Sequence, residues 1–174
     1  MNGSTTLAKR IFDRCHLTGT FKLRSGKISN EYFDKYRIES DPQLLNEIAV
    51  KFHSVLPPGI DGLAGLELGG VPLATALSLK SGLPVCFVRK QAKDYGTCQI
   101  AEGMQIEDKK LCVIEDVITS GGQVLESVAE LRKLGAKIDT VLCVINRGGL
   151  EAIEKLSQAN LKLVSLFTRE DFPK

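Results

Sequence analysis

Residues 111–122 read Leu-Cys-Val-Ile-Glu-Asp-Val-Ile-Thr-Ser-Gly-Gly, and this stretch decides the fold. Four apolar residues without alternation are typical of a strand that is buried on both faces. Because adjacent carboxylates are costly to bury unpaired, we expect Glu115 and Asp116 to lie at the carboxyl end of the strand and to face a cleft. The apolar spacing after Ser120 predicts a helix that ends near Gly135.

The turn between the predicted strand and helix suits a phosphorylated sugar. Free backbone N–H groups at a helix N-terminus, with the hydroxyls of Thr119 and Ser120, can bind a phosphate dianion. Glu115 and Asp116 can accept hydrogen bonds from vicinal ribose hydroxyls. The spacing alone leaves a plainer alternative open, in which the two acids are solvated and Ser120 is an ordinary helix N-cap.

The composition is that of one globular domain spanning residues 1–174, a length that is sufficient for a substantial core. A net charge of +2 gives no nucleic-acid-binding footprint, and no apolar run approaches the length of a membrane span. We therefore predict neither a nucleic-acid partner nor a membrane partner. The five cysteines lack CxxC spacing, which argues against a zinc site or a disulfide framework and favours the cytoplasm.

Two glycine-rich or charged segments flank the central stretch. Residues 62–72 predict a buried strand, a glycine turn and a helix start, where Gly69 and Gly70 allow a backbone to approach an anion. Residues 84–90 predict a strand that ends in Arg89 and Lys90. The charged segment that follows it, up to residue 103, is either a functional lid or a solvated surface loop.

Residues 20–37 predict two short strands around the Ser25-Gly26 turn. The aromatic residues beside cations in this segment are compatible with a surface hairpin or with a cover over a planar anionic ligand. Strands alternating with helices along the chain predict a mainly parallel α/β sheet with helices on both faces. Ligands bind such sheets beyond the carboxyl ends of the strands, where four turns should converge: 67–71, 89–103, 116–122 and 146–149.

From about Thr20 to Arg147 the chain resembles the orotate phosphoribosyltransferase family. Residues 111–122 resemble the signature with which type I phosphoribosyltransferases bind phosphoribosyl pyrophosphate (PRPP). Residues 21–27, Phe-Lys-Leu-Arg-Ser-Gly-Lys, resemble the family's hood motif, and residues 89–96, Arg-Lys-Gln-Ala-Lys-Asp-Tyr-Gly, resemble its mobile catalytic loop. The resemblance implies the type I phosphoribosyltransferase fold in a single domain, with a hood over about 17–37 and a mobile loop over about 91–103.

The resemblance also implies the site residues. Those for PRPP are Glu115, Asp116, Val117, Ile118, Thr119, Ser120, Gly121, Gly122, Gln123, Arg89, Lys90, Lys93 and Tyr95. Those for orotate are Arg24, Tyr32, Phe33, Thr119 and Arg147, with Arg147 on the orotate carboxylate. Lys93, Arg89, Lys90 and Asp116 are expected to be the catalytic residues.

The implied reaction converts orotate and PRPP to orotidine 5′-phosphate and pyrophosphate, in a homodimer whose loop reaches the neighbouring subunit. It implies Mg²⁺ as cofactor, held mainly by substrate oxygens and water, with no direct protein ligand assigned. Two other functions stay open: a phosphoribosyltransferase for another base, and a regulator that senses PRPP and binds nucleic acid.

Three positions depart from the family pattern. Tyr95 stands where many bacterial relatives have histidine, a departure that bears on any acid–base role at that position. Gly69 stands where some relatives place a pyrophosphate-binding lysine, which leaves only backbone contacts at that point. Gln123 stands where the phosphate turn often ends in Ser or Thr, so the contact to the 5′-phosphate is altered.

Overall fold

The structure is a computed structural model that describes residues 6–23, 26–91 and 99–172. Its strands are β1 His16–Lys22, β2 Ile28–Phe33, β3 Gly62–Leu66, β4 Val85–Val88, β5 Ala101–Gly103, β6 Lys110–Ile118, β7 Lys137–Asn146 and β8 Lys162–Thr168. Its α-helices are α1 Leu7–Cys15, α2 Tyr36–Glu39, α3 Pro42–Val55, α4 Gly70–Ser81, α5 Gly122–Lys133 and α6 Gly149–Gln158, and a 3-10 turn follows at Arg169–Asp171.

Six of the described strands form one sheet in the order β5-β4-β3-β6-β7-β8. All neighbours run parallel except β5, which is antiparallel to β4 at the edge. The prediction of a mainly parallel sheet is therefore confirmed. Because parallel strands end at the same edge, the segments that follow β3, β4, β6 and β7 meet there, and β6 lies in the middle.

Helices cover both faces of the sheet, as the continuous apolar run in β6 predicts. Val113 belongs to the core on the α5 and α6 side, where it shares a cluster with Val128 of α5. Ile114 belongs to the opposite core, with Phe52 of α3 and Leu77 of α4. Each such side chain, when fully buried, contributes roughly 1.5–3 kcal/mol to stability, which fixes β6 between the two helix layers.

The N-terminal segment forms the predicted hairpin. β1 and β2 pair antiparallel, with His16 opposite Phe33, and the rings of Phe21 and Tyr32 lie 5.5 Å apart between centroids. The last part of the predicted hood, after β2, is the short helix α2 rather than extended chain.

The predicted loop 91–103 is shorter than expected at its carboxyl end. Residues 101–103 form β5, in which Ala101 pairs with Val88 of β4. This pairing gives hydrogen-bond partners to backbone groups at the edge of β4. Apolar periodicity does not predict such a short edge strand. Residues 92–98, which include Lys93 and Tyr95, lie outside the described residues, as does Arg24.

In the described part of the chain, no helix is long and apolar enough to cross a membrane. Over the same ranges, no group of three or more His, Cys, Asp or Glu side chains is placed to hold a metal ion.

Candidate active site

The acidic pair lies within β6 and is buried. The strand continues past Asp116 through Val117 and Ile118, which pair with Ile145 and the last residue of β7. Glu115 is 8% exposed and Asp116 is 0% exposed. The acids lie near the carboxyl end of the strand, as expected, although the parallel ladder to β7 extends the strand two residues past them. The expectation that they face an open cleft is wrong, because both residues are buried.

Asp116 is enclosed by three neighbours. The Nζ atom of Lys35 lies 2.6 Å from its Oδ2, and the N–H of Val117 donates to its Oδ1. On a third side, Gly69 comes so close that a Cβ atom there would overlap the carboxylate. Oδ1 thus has a hydrogen-bond donor, whereas Oδ2 is a buried oxygen whose charge is balanced by the Lys35 ion pair but which accepts no hydrogen bond of good geometry among the described residues.

Lys35 was not singled out from the sequence, although it lies within residues 20–37, the segment whose aromatic residues and cations suggested a ligand cover. Burial opposes the charge of its ammonium group. The close ion pair with Asp116 and the charge of Glu115 outweigh that effect, so the pKa of Lys35 is raised. Lys35 is therefore a charged group in contact with Asp116 at neutral pH.

Two further carboxyl groups adjoin Asp116. Burial, together with the adjacent charge of Asp116, raises the pKa of Glu115 well above the ordinary value. Burial, together with the nearby charge of Asp116, raises the pKa of Glu39 to about 8. Lys35 carries a single charge and cannot balance three buried carboxylates, so burial raises the pKa of both Glu39 and Glu115 despite its presence.

The turn after β6 has the form expected of a phosphate site. Thr119 and Ser120 are exposed, and Gly121 adopts φ 72° as the N-cap of α5, without a side-chain hydrogen bond to the first turn. The alternative of Ser120 as N-cap is therefore wrong, and the first N–H groups of α5 have no side-chain acceptor at the cap. Gln123 is exposed in that first turn.

Lys155 of α6 adds a cation that sequence reasoning missed. Its Nζ lies 3.9 Å from the position that a Cβ on Gly122 would take. Only the packing of α6 beside α5 brings this lysine to the turn, and no motif marks it.

The glycine turn after β3 adjoins the acidic pair. Gly69 is the N-cap of α4 and provides no side-chain cap. A Cβ on Gly70 would overlap the carbonyl oxygen of Ile114, so the start of α4 packs directly on β6. Glycine is required at both positions by close approach, and the first turn of α4 thereby lies beside Asp116.

Arg89 and Lys90 follow β4 at the same edge of the sheet. The N–H of Arg89 donates to the carbonyl of Ile100 at 2.8 Å, and the guanidinium Nε is buried. Lys90 is exposed. The structure thus places these two predicted PRPP contacts at the edge where the turns converge, immediately before the segment that carries Lys93.

A cleft of about 1140 Å³ lies between the hairpin, the end of β7 and the 3-10 turn. Tyr32, Phe33 and Arg147 line it, so three predicted orotate contacts share one cavity. Thr119 does not line this cleft. Its carbonyl oxygen instead occupies the space where a Cβ on Gly148 would lie, which places Thr119 beside the residue that follows Arg147.

The cleft also contains residues that sequence reasoning missed. Arg169 and Phe172 line it, and the Phe172 ring lies 6.2 Å from that of Phe33. His16 lines it as well, with its Nε2 at 2.9 Å from a carboxylate oxygen of Glu31. The one available signal for Arg169 was its position just after the last strand, at the carboxyl edge of the sheet.

Residues 37–164 match the phosphoribosyl transferase domain family. The acidic strand, the phosphate turn at α5 and the glycine turn at α4 are therefore parts of a phosphoribosyltransferase domain with the type I fold.

Comparison with individual proteins shows which phosphoribosyltransferases this chain is similar to. The chain is 47% identical over 171 residues to the orotate phosphoribosyltransferase of Nocardioides sp., covering 92% of this chain and 96% of that protein. It is 43% identical over 157 residues to the enzyme of that name from Methanosarcina acetivorans, covering 90% and 83%. The chain belongs to the orotate phosphoribosyltransferase family.

A solved structure agrees at the level of the fold. The crystal structure of Mycobacterium tuberculosis H37Rv orotate phosphoribosyltransferase in complex with Fe(III) dicitrate superposes with a TM-score of 0.82 at 23% identity, and 95% of each chain is covered.

Proposed function

We propose that this chain transfers the phosphoribosyl group from PRPP to orotate, giving orotidine 5′-phosphate and pyrophosphate in de novo UMP synthesis. The names of the relatives at 47% and 43% identity support this substrate pair. The single observation that carries the proposal is the acidic pair of β6, which leads directly into the anion-binding turn at the start of α5.

Each part of PRPP has a place in the proposed site. The turn from Thr119 to Gln123, with the free N–H groups of α5, would bind the 5′-phosphate. Glu115 and Asp116 would accept hydrogen bonds from the ribose hydroxyls. The pyrophosphate would lie between the start of α4 and the cations Arg89 and Lys90.

Orotate would occupy the cleft beside the hairpin. Tyr32 and Phe33 offer aromatic surface for its ring, and Arg147 offers a charged donor for its carboxylate. Arg24, which the family resemblance adds to this group, lies outside the described residues.

The proposed mechanism depends on positioning and charge. Breaking the anomeric C–O bond leaves positive charge on the ribose and negative charge on the departing pyrophosphate. Orotate is already an anion near neutral pH, so its attack needs little help from a general base. Arg89, Lys90 and Lys93 would therefore act chiefly by neutralising pyrophosphate as it leaves.

The donors at the site fit a magnesium ion that is held mainly by substrate. One oxygen of Asp116 accepts the N–H of Val117 and the other contacts Lys35, and Oε1 of Glu115 accepts the N–H of Asp116 at 2.9 Å. These oxygens are already engaged with the protein. Bound Mg²⁺ would supply positive charge to the pyrophosphate, with PRPP oxygens and water as its ligands.

Three finer features belong to the same proposal: a homodimer, a loop around Lys93 that acts in the neighbouring subunit, and a cytoplasmic location. They rest on the family resemblance and, for the location, on the scattered cysteines.

An ultraviolet absorbance assay of orotate consumption tests the function. We expect the absorbance change to require orotate, PRPP and magnesium together, and to stop when a chelator is added. Adenine, hypoxanthine and uracil serve as competing bases, and turnover of one of them in place of orotate would contradict the proposed substrate. Absence of turnover with every base would contradict the enzyme assignment itself.

A further inference from the structure

The contacts of Asp116 create a conflict with ribose binding, which the proposed function requires. Asp116 is 0% exposed, and each carboxylate oxygen already contacts the protein. A ribose hydroxyl can reach this carboxylate only if one of its neighbours moves.

Lys35 is the neighbour that is able to move. The N–H of Val117 belongs to the β6 backbone, which is held in the sheet by pairing with β7. Gly69 begins α4, whose backbone packs on Ile114 of β6. The Lys35 side chain, by contrast, is 35% exposed and ends in a compact charge on a flexible four-carbon stem.

The surroundings of Asp116 indicate where the ammonium group of Lys35 would lie after its release from the carboxylate. The carboxylate oxygen that contacts Lys35 is also the atom nearest to the position that a Cβ on Gly69, the N-cap of α4, would take. Lys35 is therefore within reach of the first turn of α4, where the cap offers no side-chain acceptor. An anion that binds there would meet both the helix N-terminus and the lysine.

Gly69 itself cannot provide this cation. A side chain at residue 69 would overlap the Asp116 carboxylate, so a lysine at that position does not fit this site. Lys35 brings an ammonium group to the same turn from the residue that precedes α2.

We propose that Lys35 is a displaceable counter-ion that pairs with Asp116 in the free protein and with the pyrophosphate of PRPP in the complex. The ribose hydroxyls take its place at Asp116, and the charge of the substrate compensates for the lost ion pair. The raised pKa of Lys35 keeps the ammonium group charged before the exchange. This inference rests on the proposed function and adds a pyrophosphate-contacting residue to it.

The test compares two ligands that share ribose 5′-phosphate and differ in pyrophosphate. Dissociation constants for PRPP and for orotidine 5′-phosphate are measured by calorimetry on wild type, Lys35→Met, Lys35→Arg and Lys51→Met. Lys51 is an exposed lysine of α3 and controls for the general loss of one positive charge. Thermal melts of all four proteins confirm that each is folded.

We expect Lys35→Met to weaken PRPP binding by about tenfold, the effect of losing one charge-assisted contact. Binding of orotidine 5′-phosphate should be unchanged or tighter, because Asp116 is no longer covered. Lys35→Arg should recover part of the PRPP affinity, and Lys51→Met should resemble wild type. In a crystal structure with PRPP, Nζ of Lys35 should lie beyond hydrogen-bond distance of Asp116.

Equal weakening for both ligands would overturn the inference, since Lys35 would then act only by holding Asp116 in place. Unchanged PRPP binding in folded Lys35→Met would overturn it as well. The wild-type protein is first shown to turn over orotate. A failure of the Lys35 inference can then be distinguished from a failure of the proposed function.

Discussion

Gly69, in the turn after β3, approaches Asp116 of the neighbouring strand β6 so closely that a Cβ atom on Gly69 would overlap the carboxylate. Gly69 has φ −67° and ψ −31°, values that alanine adopts easily, so the requirement for glycine is steric and not conformational. The contact joins the turn expected to bind pyrophosphate to the acid expected to bind ribose.

Gly69→Ala should therefore displace the Asp116 carboxylate and raise the Michaelis constant for PRPP by about tenfold or more, with a smaller effect on orotate. Steady-state kinetics with each substrate varied in turn measure this. Gly122→Ala is the matched comparison, because a Cβ there would meet its nearest neighbour, Ser120, at an ordinary 3.6 Å. A smaller PRPP effect from Gly69→Ala than from Gly122→Ala would contradict the steric explanation.

Arg147→Ala should chiefly raise the Michaelis constant for orotate, by about tenfold, because it removes a charge-assisted hydrogen bond to the carboxylate. The Michaelis constant for PRPP should change much less. Arg169→Ala is the informative control, since Arg169 lines the same cleft. If the orotate effect appears in Arg169→Ala and not in Arg147→Ala, the carboxylate binds at the other arginine.

Glu39 should make the stability of the protein depend on pH. Its pKa is raised to about 8 in the folded state from an ordinary 4.5, so the folded protein binds this proton more tightly than the unfolded chain. The resulting stabilisation is complete below the unfolded pKa and is lost as pH rises through about 8. Glu115, whose pKa is also raised, contributes in the same direction.

Urea denaturation at several pH values measures this dependence. The free energy of unfolding should fall between about pH 5 and about pH 8.5 in wild type, and Glu39→Gln should reduce that fall because glutamine cannot ionise. Glu126→Gln, an exposed position on α5, should retain the wild-type dependence. Identical pH profiles for wild type and Glu39→Gln would show that the Glu39 proton is bound no more tightly in the folded state.

Lys93→Ala should lower turnover by about 10²–10³-fold with little change in the orotate Michaelis constant, by analogy with the loss of one oxyanion donor. An exposed surface lysine would instead give almost no effect. Because the loop is expected to act in the neighbouring subunit, mixing Lys93→Ala with Asp116→Asn subunits should restore some activity. Heterodimers that are verified by mass but stay inactive would rule out a loop acting between subunits.

The sequence predicted the strand, turn and helix of residues 111–133 because local patterns determine them. An unbroken apolar run requires a strand with two buried faces, and the change to helical spacing marks α5. The mainly parallel sheet followed from the alternation of strands and helices. The segments that meet at its carboxyl edge followed from the same alternation.

The tertiary structure alone decided the environment of the acids. Lys35, Glu39 and Gly69 lie far from Asp116 in sequence and meet it only because α2 and α4 pack beside the end of β6. Arg169 likewise reaches the cleft from the 3-10 turn after β8, and Lys155 reaches the phosphate turn from α6. Sequence patterns report which face of an element is apolar. The charge state and exposure of a side chain depend on the distances between elements, and those distances are fixed only when the two cores pack.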